Sequence, residues 1–152
     1  MNKRIRWVLL AAWMIIIFAF SNQPAIISDE KSKLIIKLFE ITGLNLNSIF
    51  GDLANFAVRK TAHFLEYLLL YLLVFNVVYE KGRLKKSLVI SLLIVFLYAG
   101  TDEFHQMFIP GRACRLQDVL IDTSGGLLAA LILYIIVTRQ KSSARKKKEL
   151  IK

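Results

Sequence analysis

Polar and ionisable side chains stand at the ends of long apolar segments of this sequence. A charged side chain at membrane depth costs on the order of 2.5–3.5 kcal/mol, even on the lenient insertion scale. Several such residues at one level of a membrane must therefore pair with one another, and we expect the protein to use them. They are Lys60, His63, Glu66, Asp102, Glu103, His105, Gln106, Arg112, Arg115, Asp118 and Asp122.

These residue types suit the binding of an anionic ligand and, in principle, acid–base chemistry. Arg112 and Lys60 could bind anionic groups. His63 could sense pH or transfer a proton to a carboxylate. Because no nucleophile with an activating base stands out, the sequence favours binding over catalysis. The candidate catalytic residues are His63, Glu66, Asp102 and Glu103, and the candidate ligand-binding residues are Lys60, His63, Glu66, Tyr67, Asp102, Glu103, Gln106, Arg112, Asp118 and Asp122.

Two other uses of these residues stay open. A divalent metal could bind to the ligand types present, but His-x-x-Glu spacing is common by chance, so the sequence predicts no metal site and no cofactor. Alternatively, the charges form a structural network, because an unpaired buried charge is costly. The metal set would be His63, Glu66, Asp102, Glu103 and His105; in the network, Arg112 and Lys60 would neutralise Glu66, Asp102 and Asp122.

Helical spacing predicts that these side chains share faces. At 100° per residue, three stripes arise: Lys60, His63 and Tyr67 with Glu66 at the edge; Asp102 with Gln106; and Asp118, Asp122 and Gly125. Gly125 and Gly126 lack side chains that would hold helices apart, so the last stripe can face a bundle interior. The stretch Ile109-Pro110-Gly111-Arg112 is typical of a turn between two helices.

The elements that position these residues are predicted to be transmembrane helices. The chain has 152 residues, of which 56% are hydrophobic, whereas soluble domains are nearer 45–50%. The predicted fold is an all-α, single-domain membrane protein with spans at about 5–22, 60–79, 86–104 and 118–138 and a basic tail at 139–152. A signal peptide that is cleaved after Ala19-Phe20-Ser21 is an alternative for the first span.

The basic residues predict orientation rather than nucleic-acid binding. The net charge is +10, but the Lys and Arg residues flank the apolar segments. They are more numerous in the N-terminal segment, the second connection and the tail than in the other two connections. The positive-inside rule therefore predicts that both termini are cytoplasmic and that the polar residues form an extracytoplasmic pocket.

The first connection is predicted to contain an amphipathic helix. Ser28 is a suitable N-cap, and Gly43 can end the helix. The helix would lie on the outer membrane surface or pack over the bundle. Its apolar face would be Leu34, Ile35, Leu38, Ile41 and Thr42, and its polar face Lys33, Lys37 and Glu40.

The motifs in these elements resemble those of the VanZ-like family of membrane proteins. The matching elements are Phe20-Ser21-Asn22-Gln23, Lys60-x-x-His63-Phe64-x-Glu66-Tyr67, Asp102-Glu103-x-His105-Gln106, Pro110-Gly111-Arg112, Asp118-Val119 and Gly125-Gly126. The resemblance implies four helices in a bacterial cell membrane and a role in teicoplanin resistance or envelope homeostasis.

The expected ligand is an amphiphile of the outer leaflet. Membrane lipids, a lipoglycopeptide or a lipid-linked cell-wall precursor would fit apolar walls with charges. The alternatives are a membrane enzyme that acts on a lipid-linked precursor and a small lipid transporter or flippase. The inner halves of the predicted spans are nearly all apolar, with Asn76 as the main exception, which disfavours a conduit.

Overall fold

The computed structural model describes residues 2–149, with side chains up to residue 143. The described residues are helical and contain no strand, which confirms the all-α prediction. In chain order the elements are α1 (Lys3–Ser21), α2 (Ala25–Ile41), α3 (Leu46–Phe50), a 3-10 turn (Gly51–Leu53), α4 (Ala54–Val78), α5 (Leu84–Gln106) and α6 (Leu116–Glu149).

Four of these helical segments are long and apolar enough to cross a membrane. Each carries large apolar side chains on its outside, as expected for a surface that faces lipid rather than water. The prediction of four transmembrane helices is therefore confirmed. The third segment continues to Gln106, so Asp102 and Glu103 belong to the helix itself. The segments are Lys3–Ser21, Leu46–Val78, Leu84–Gln106 and Leu116–Ser143.

Helix α4 is the centre of the bundle and contacts α1, α2, α5 and α6. Its buried face consists of Tyr67, Leu70, Tyr71, Val74 and Phe75. These side chains form one apolar cluster with residues of the other spans. A rigid core of this kind fixes the rotation of α4, and so fixes where its polar residues point.

Polar side chains of the spans also bind backbone carbonyls of neighbouring helices. The Tyr98 hydroxyl donates to the Met14 carbonyl at 2.8 Å, and the Tyr71 hydroxyl donates to the Leu88 carbonyl at 3.0 Å. The Trp13 indole N–H donates to the Glu66 carbonyl at 3.0 Å. These bonds satisfy donors that would otherwise be unpaired in the bundle.

Helix α2 differs in part from its predicted form. It begins at Ala25 after Pro24, and Ser28 lies inside its first turn, so the predicted N-cap is wrong. The reason is a tertiary contact: the Ala25 N–H donates to the Pro110 carbonyl at 3.2 Å, which holds the helix start four residues earlier than expected from Ser28. The predicted end is confirmed, because Gly43 follows the helix with a φ of 89°.

The two-faced character of α2 stays a prediction. Ser32 and Ile36 are its buried residues, whereas Leu34, Leu38 and Ile41 of the predicted apolar face are exposed.

Candidate functional site

The polar residues singled out from the sequence meet at one end of the bundle, called here the polar end. Helix α4 contributes residues to it from its first half, α5 from its last five residues, and α6 from its first two turns. A turn between α5 and α6 adds Arg112. Its backbone N–H donates to the Ile109 carbonyl at 3.0 Å, as the predicted turn requires. The residues of the polar end are Lys60, His63, Glu66, Asp102, Glu103, Gln106, Arg112, Asp118 and Asp122.

Three of these side chains form a compact group at the centre. His63 of α4, Asp102 of α5 and Asp122 of α6 each place a nitrogen or oxygen atom within 4.8 Å of the other two. Asp122 is 1% exposed and Asp102 is 4% exposed. The Nδ1 atom of His63 lies 3.9 Å from Asp122 Oδ1 and 3.9 Å from Glu66 Oε2. We call His63, Asp102 and Asp122 the buried trio.

No described Lys or Arg of the polar end forms an ion pair with the carboxylates of the trio. The Lys60 ammonium forms an ion pair with Asp118 at 2.6 Å. The Arg112 guanidinium donates through Nη1 to Gln106 Oε1 at 3.4 Å and through Nε to the Gln23 carbonyl at 3.2 Å. Gln106 in turn donates to Asp102 Oδ2 at 3.2 Å.

The ion pairs of the polar end involve partners that the predicted network did not include. Lys60 faces Asp118 rather than Glu66 or Asp122, because the first turn of α6 lies beside it. Arg112 reaches Asp102 through the Gln106 amide, with no direct ion pair. Burial lowers the pKa of the Arg112 guanidinium, which means that this cation is partly withdrawn from water.

Two cavities open beside the trio, and His63, Arg59 and Arg112 line both of them. The first has a volume of about 170 Å³ and is walled mainly by apolar groups of α1, α2 and α4. The second has a volume of about 370 Å³ and is more polar. Besides the shared residues, the first is lined by Phe20, Ile35, Val58, Ala62 and Glu66 among others, and the second by Lys60, Gln106, Arg115 and Asp118 among others.

Comparison with known families identifies the family of the chain. The family model described as VanZ/LLP1 matches residues 6–137, which is most of the chain and includes all of the polar end. The chain belongs to the VanZ/LLP1 family. The resemblance that the motifs indicated is thus confirmed. No curated protein and no solved structure matches the chain.

Within this VanZ/LLP1 fold, some predicted site residues lie outside the cavities. Glu103 is buried, and its carboxylate accepts the Arg115 N–H at 3.1 Å, so it ties the end of α5 to the start of α6. His105 contacts α1, where it bonds to Asn22 at 3.1 Å and its ring lies 4.8 Å from that of Phe18. Tyr67 is fully buried in the core.

These positions change the composition of the possible metal set. The sequence grouped His63 and Asp102 with Glu66, Glu103 and His105. In the structure, the first two residues instead meet Asp122, while Glu103 and His105 bind elsewhere. The reason is rotation: on one helix, Asp102, Glu103 and His105 cannot all face the same neighbour.

Sequence reasoning missed Arg59 as a site residue. Arg59 pairs with Asp29 of α2 at 2.6 Å and lines both cavities, so it connects α2 to the site. The signal was present, because Arg59 and His63 are four residues apart and therefore share a face of α4. Its partner on α2 was not foreseeable from helical spacing.

Proposed function

We propose that this VanZ/LLP1 protein binds an amphiphile with an anionic headgroup in the outer leaflet of a bacterial cell membrane. In this proposal the bound amphiphile is a lipoglycopeptide such as teicoplanin or a lipid-linked cell-wall precursor, and binding lowers susceptibility to the drug. The acyl part would lie against the apolar first cavity, and the headgroup would enter the polar second cavity.

The observation that carries this proposal is the set of contacts made by the Arg112 guanidinium. Arg59 and Lys60 each have a carboxylate partner, whereas Arg112 contacts an amide oxygen and a backbone carbonyl and forms no ion pair with the described residues. It lines both cavities beside His63. A partly buried guanidinium with spare donors is suited to bidentate recognition of carboxylate or phosphate.

We also propose that both termini are cytoplasmic and that the polar end faces outward. Support comes from the distribution of Lys and Arg, which favours the cytoplasmic side for the connection between α4 and α5 and for the tail. Apolar residues of α4 and α6 close the bundle beyond the trio, which favours a binding site over a conduit: Leu70, Val74, Ala129 and Ala130 are buried there.

Cysteine labelling tests the orientation. Cys114 is exposed on the connection between α5 and α6. In intact cells an impermeant thiol reagent is expected to label Cys114. On a Cys114→Ser background, the same reagent should not label Ser143→Cys until the cells are permeabilised. The reverse pattern would show that the polar end faces the cytoplasm.

A second candidate function is catalysis on a lipid-linked substrate. The observation that favours it is the position of His63, which lines both cavities and has Asp122 and Glu66 at 3.9 Å from its Nδ1. A carboxylate beside a histidine can orient the ring and support general acid–base chemistry. The group attacked and the nucleophile would then have to come from the substrate or water.

A pair of synthetic amphiphiles tests the binding proposal. The purified full chain in a neutral maltoside detergent is titrated with dodecyl phosphate or with dodecyltrimethylammonium, which share an alkyl tail and differ in headgroup charge. We expect saturable binding and a higher midpoint of thermal unfolding for dodecyl phosphate alone. Equal effects of both compounds would contradict the proposal. If the protein alters the headgroup of lipids in a membrane extract, and the folded His63→Ala variant does not, the second candidate is favoured.

A further inference from the structure

The buried trio carries more negative charge than its surroundings balance. Asp102 and Asp122 are almost completely buried, and neither forms an ion pair with a described Lys or Arg. The carboxylates are neighbours, because all the trio's ligand atoms lie within 4.8 Å of one another. A protonated His63 would balance one of them. Two buried carboxylates without sufficient positive charge are costly, so a further positive species is expected between them.

The trio also leaves buried polar atoms without a partner. His63 Nδ1 and Asp122 Oδ2 are inaccessible to solvent and form no hydrogen bond with any described residue. Most buried polar atoms in proteins are paired, and a bound ion or water is one explanation of an exception. Both atoms carry lone pairs when His63 is neutral and Asp122 is ionised, and lone pairs are what a metal cation requires.

The ligand types indicate which cation fits. One imidazole nitrogen and two carboxylate oxygens form a mixed set that suits Zn²⁺ or Mn²⁺ better than Ca²⁺, which prefers oxygen ligands alone. Three protein ligands leave a coordination position open, as in metal sites that bind water or a substrate. Of the three residues, His63 also lines both cavities, so its ring connects the trio with them.

We propose that His63, Asp102 and Asp122 bind one divalent cation of the Zn²⁺ or Mn²⁺ kind between α4, α5 and α6. The Gln106 amide, which donates to Asp102, would orient the carboxylate around the metal. This inference goes beyond the proposed function, because the cation would bind to the trio regardless of which amphiphile enters the cavities.

Metal titration of the purified full chain tests the proposal. The protein is prepared without a histidine tag, stripped with a chelator and titrated with ZnCl₂ or MnCl₂ while heat and metal content are measured. We expect one equivalent of at least one of the two cations to bind and to raise the midpoint of thermal unfolding. Asp122→Asn and His63→Gln should each weaken binding by on the order of tenfold or more.

The matched control is His105→Gln, since His63 and His105 are the two histidines of the chain. His105 contacts Asn22 and Phe18 outside the trio, so its replacement should leave the affinity unchanged. Asp122→Asn removes a buried acid, so the metal-free variant is expected to be at least as stable as the metal-free wild type. Failure of the wild type to bind either cation overturns the proposal and leaves a proton shared by the two carboxylates. Equal weakening by His63→Gln and His105→Gln overturns it as well.

Discussion

Replacement of Gly125 with Ala is expected to remove most of the folded protein. Gly125 of α6 lies against the backbone of α4, and a Cβ atom there would overlap the Phe64 carbonyl oxygen and lie 3.2 Å from the Leu68 nitrogen. Backbone atoms of a packed helix cannot move aside as a flexible side chain can. Overpacking commonly costs about 1–3 kcal/mol, and we expect this variant at or above the upper end of that range. Such a loss is a large part of the total stability of most proteins.

Two other glycines provide matched controls. A Cβ at Gly100 would meet no atom within 4 Å, so Gly100→Ala should be close to neutral. At Gly126 the nearest atom is Val95 Cγ1 at 3.1 Å, a side-chain methyl group that can shift, so an intermediate effect is expected. The measurements are the yield of monodisperse protein and the unfolding midpoint of each variant. Equal stability of Gly125→Ala and Gly100→Ala would show that α4 and α6 do not approach as closely as described.

A close helix contact at Gly125 and Gly126 was predictable, but its partner α4 and the start of α2 were not. Length and apolar composition predict the four spans, and Gly125 and Gly126 predict a tight helix contact. Local signals favoured Ser28 as the N-cap of α2. The helix instead begins after Pro24, where Pro110 from a distant turn accepts the Ala25 N–H. A tertiary bond of this kind leaves no mark in the local sequence.

Helical spacing predicts which polar residues share a face, but it does not predict their partners. It grouped Lys60 with His63 and Asp118 with Asp122, and the structure places these two stripes against each other. The pairing of Lys60 with Asp118 depends on the relative position of α4 and α6 along the bundle axis. Spacing within one helix carries no information on that position. The same limit explains why Asp29 of α2 was not predicted as the partner of Arg59.

In the function proposed above, Arg112 binds the headgroup, so its loss is expected to abolish the proposed protection against teicoplanin. Arg112 has spare donors toward the cavities and reaches Asp102 through Gln106. Arg112→Ala removes the bidentate donor for an anionic headgroup and also the nearest side-chain cation on that path to Asp102. Arg112→Lys should restore protection in part, because an ammonium group retains the charge but lacks the planar fork. The inhibitory concentration of teicoplanin measures the effect in cells that contain each variant at matched abundance.

The neighbouring cation and a second drug separate recognition from general electrostatics. Arg115 lines the second cavity but not the first, and its side chain is exposed. Arg115→Ala is therefore expected to change teicoplanin susceptibility much less than Arg112→Ala. Vancomycin lacks the lipid tail, and the apolar first cavity should then contribute nothing to its binding. Protection is therefore expected to be larger against teicoplanin than against vancomycin. Equal protection against the two drugs would argue against recognition of the tail. Equal losses of protection in the two Arg variants would assign the effect to net charge rather than to the position of Arg112 between the cavities.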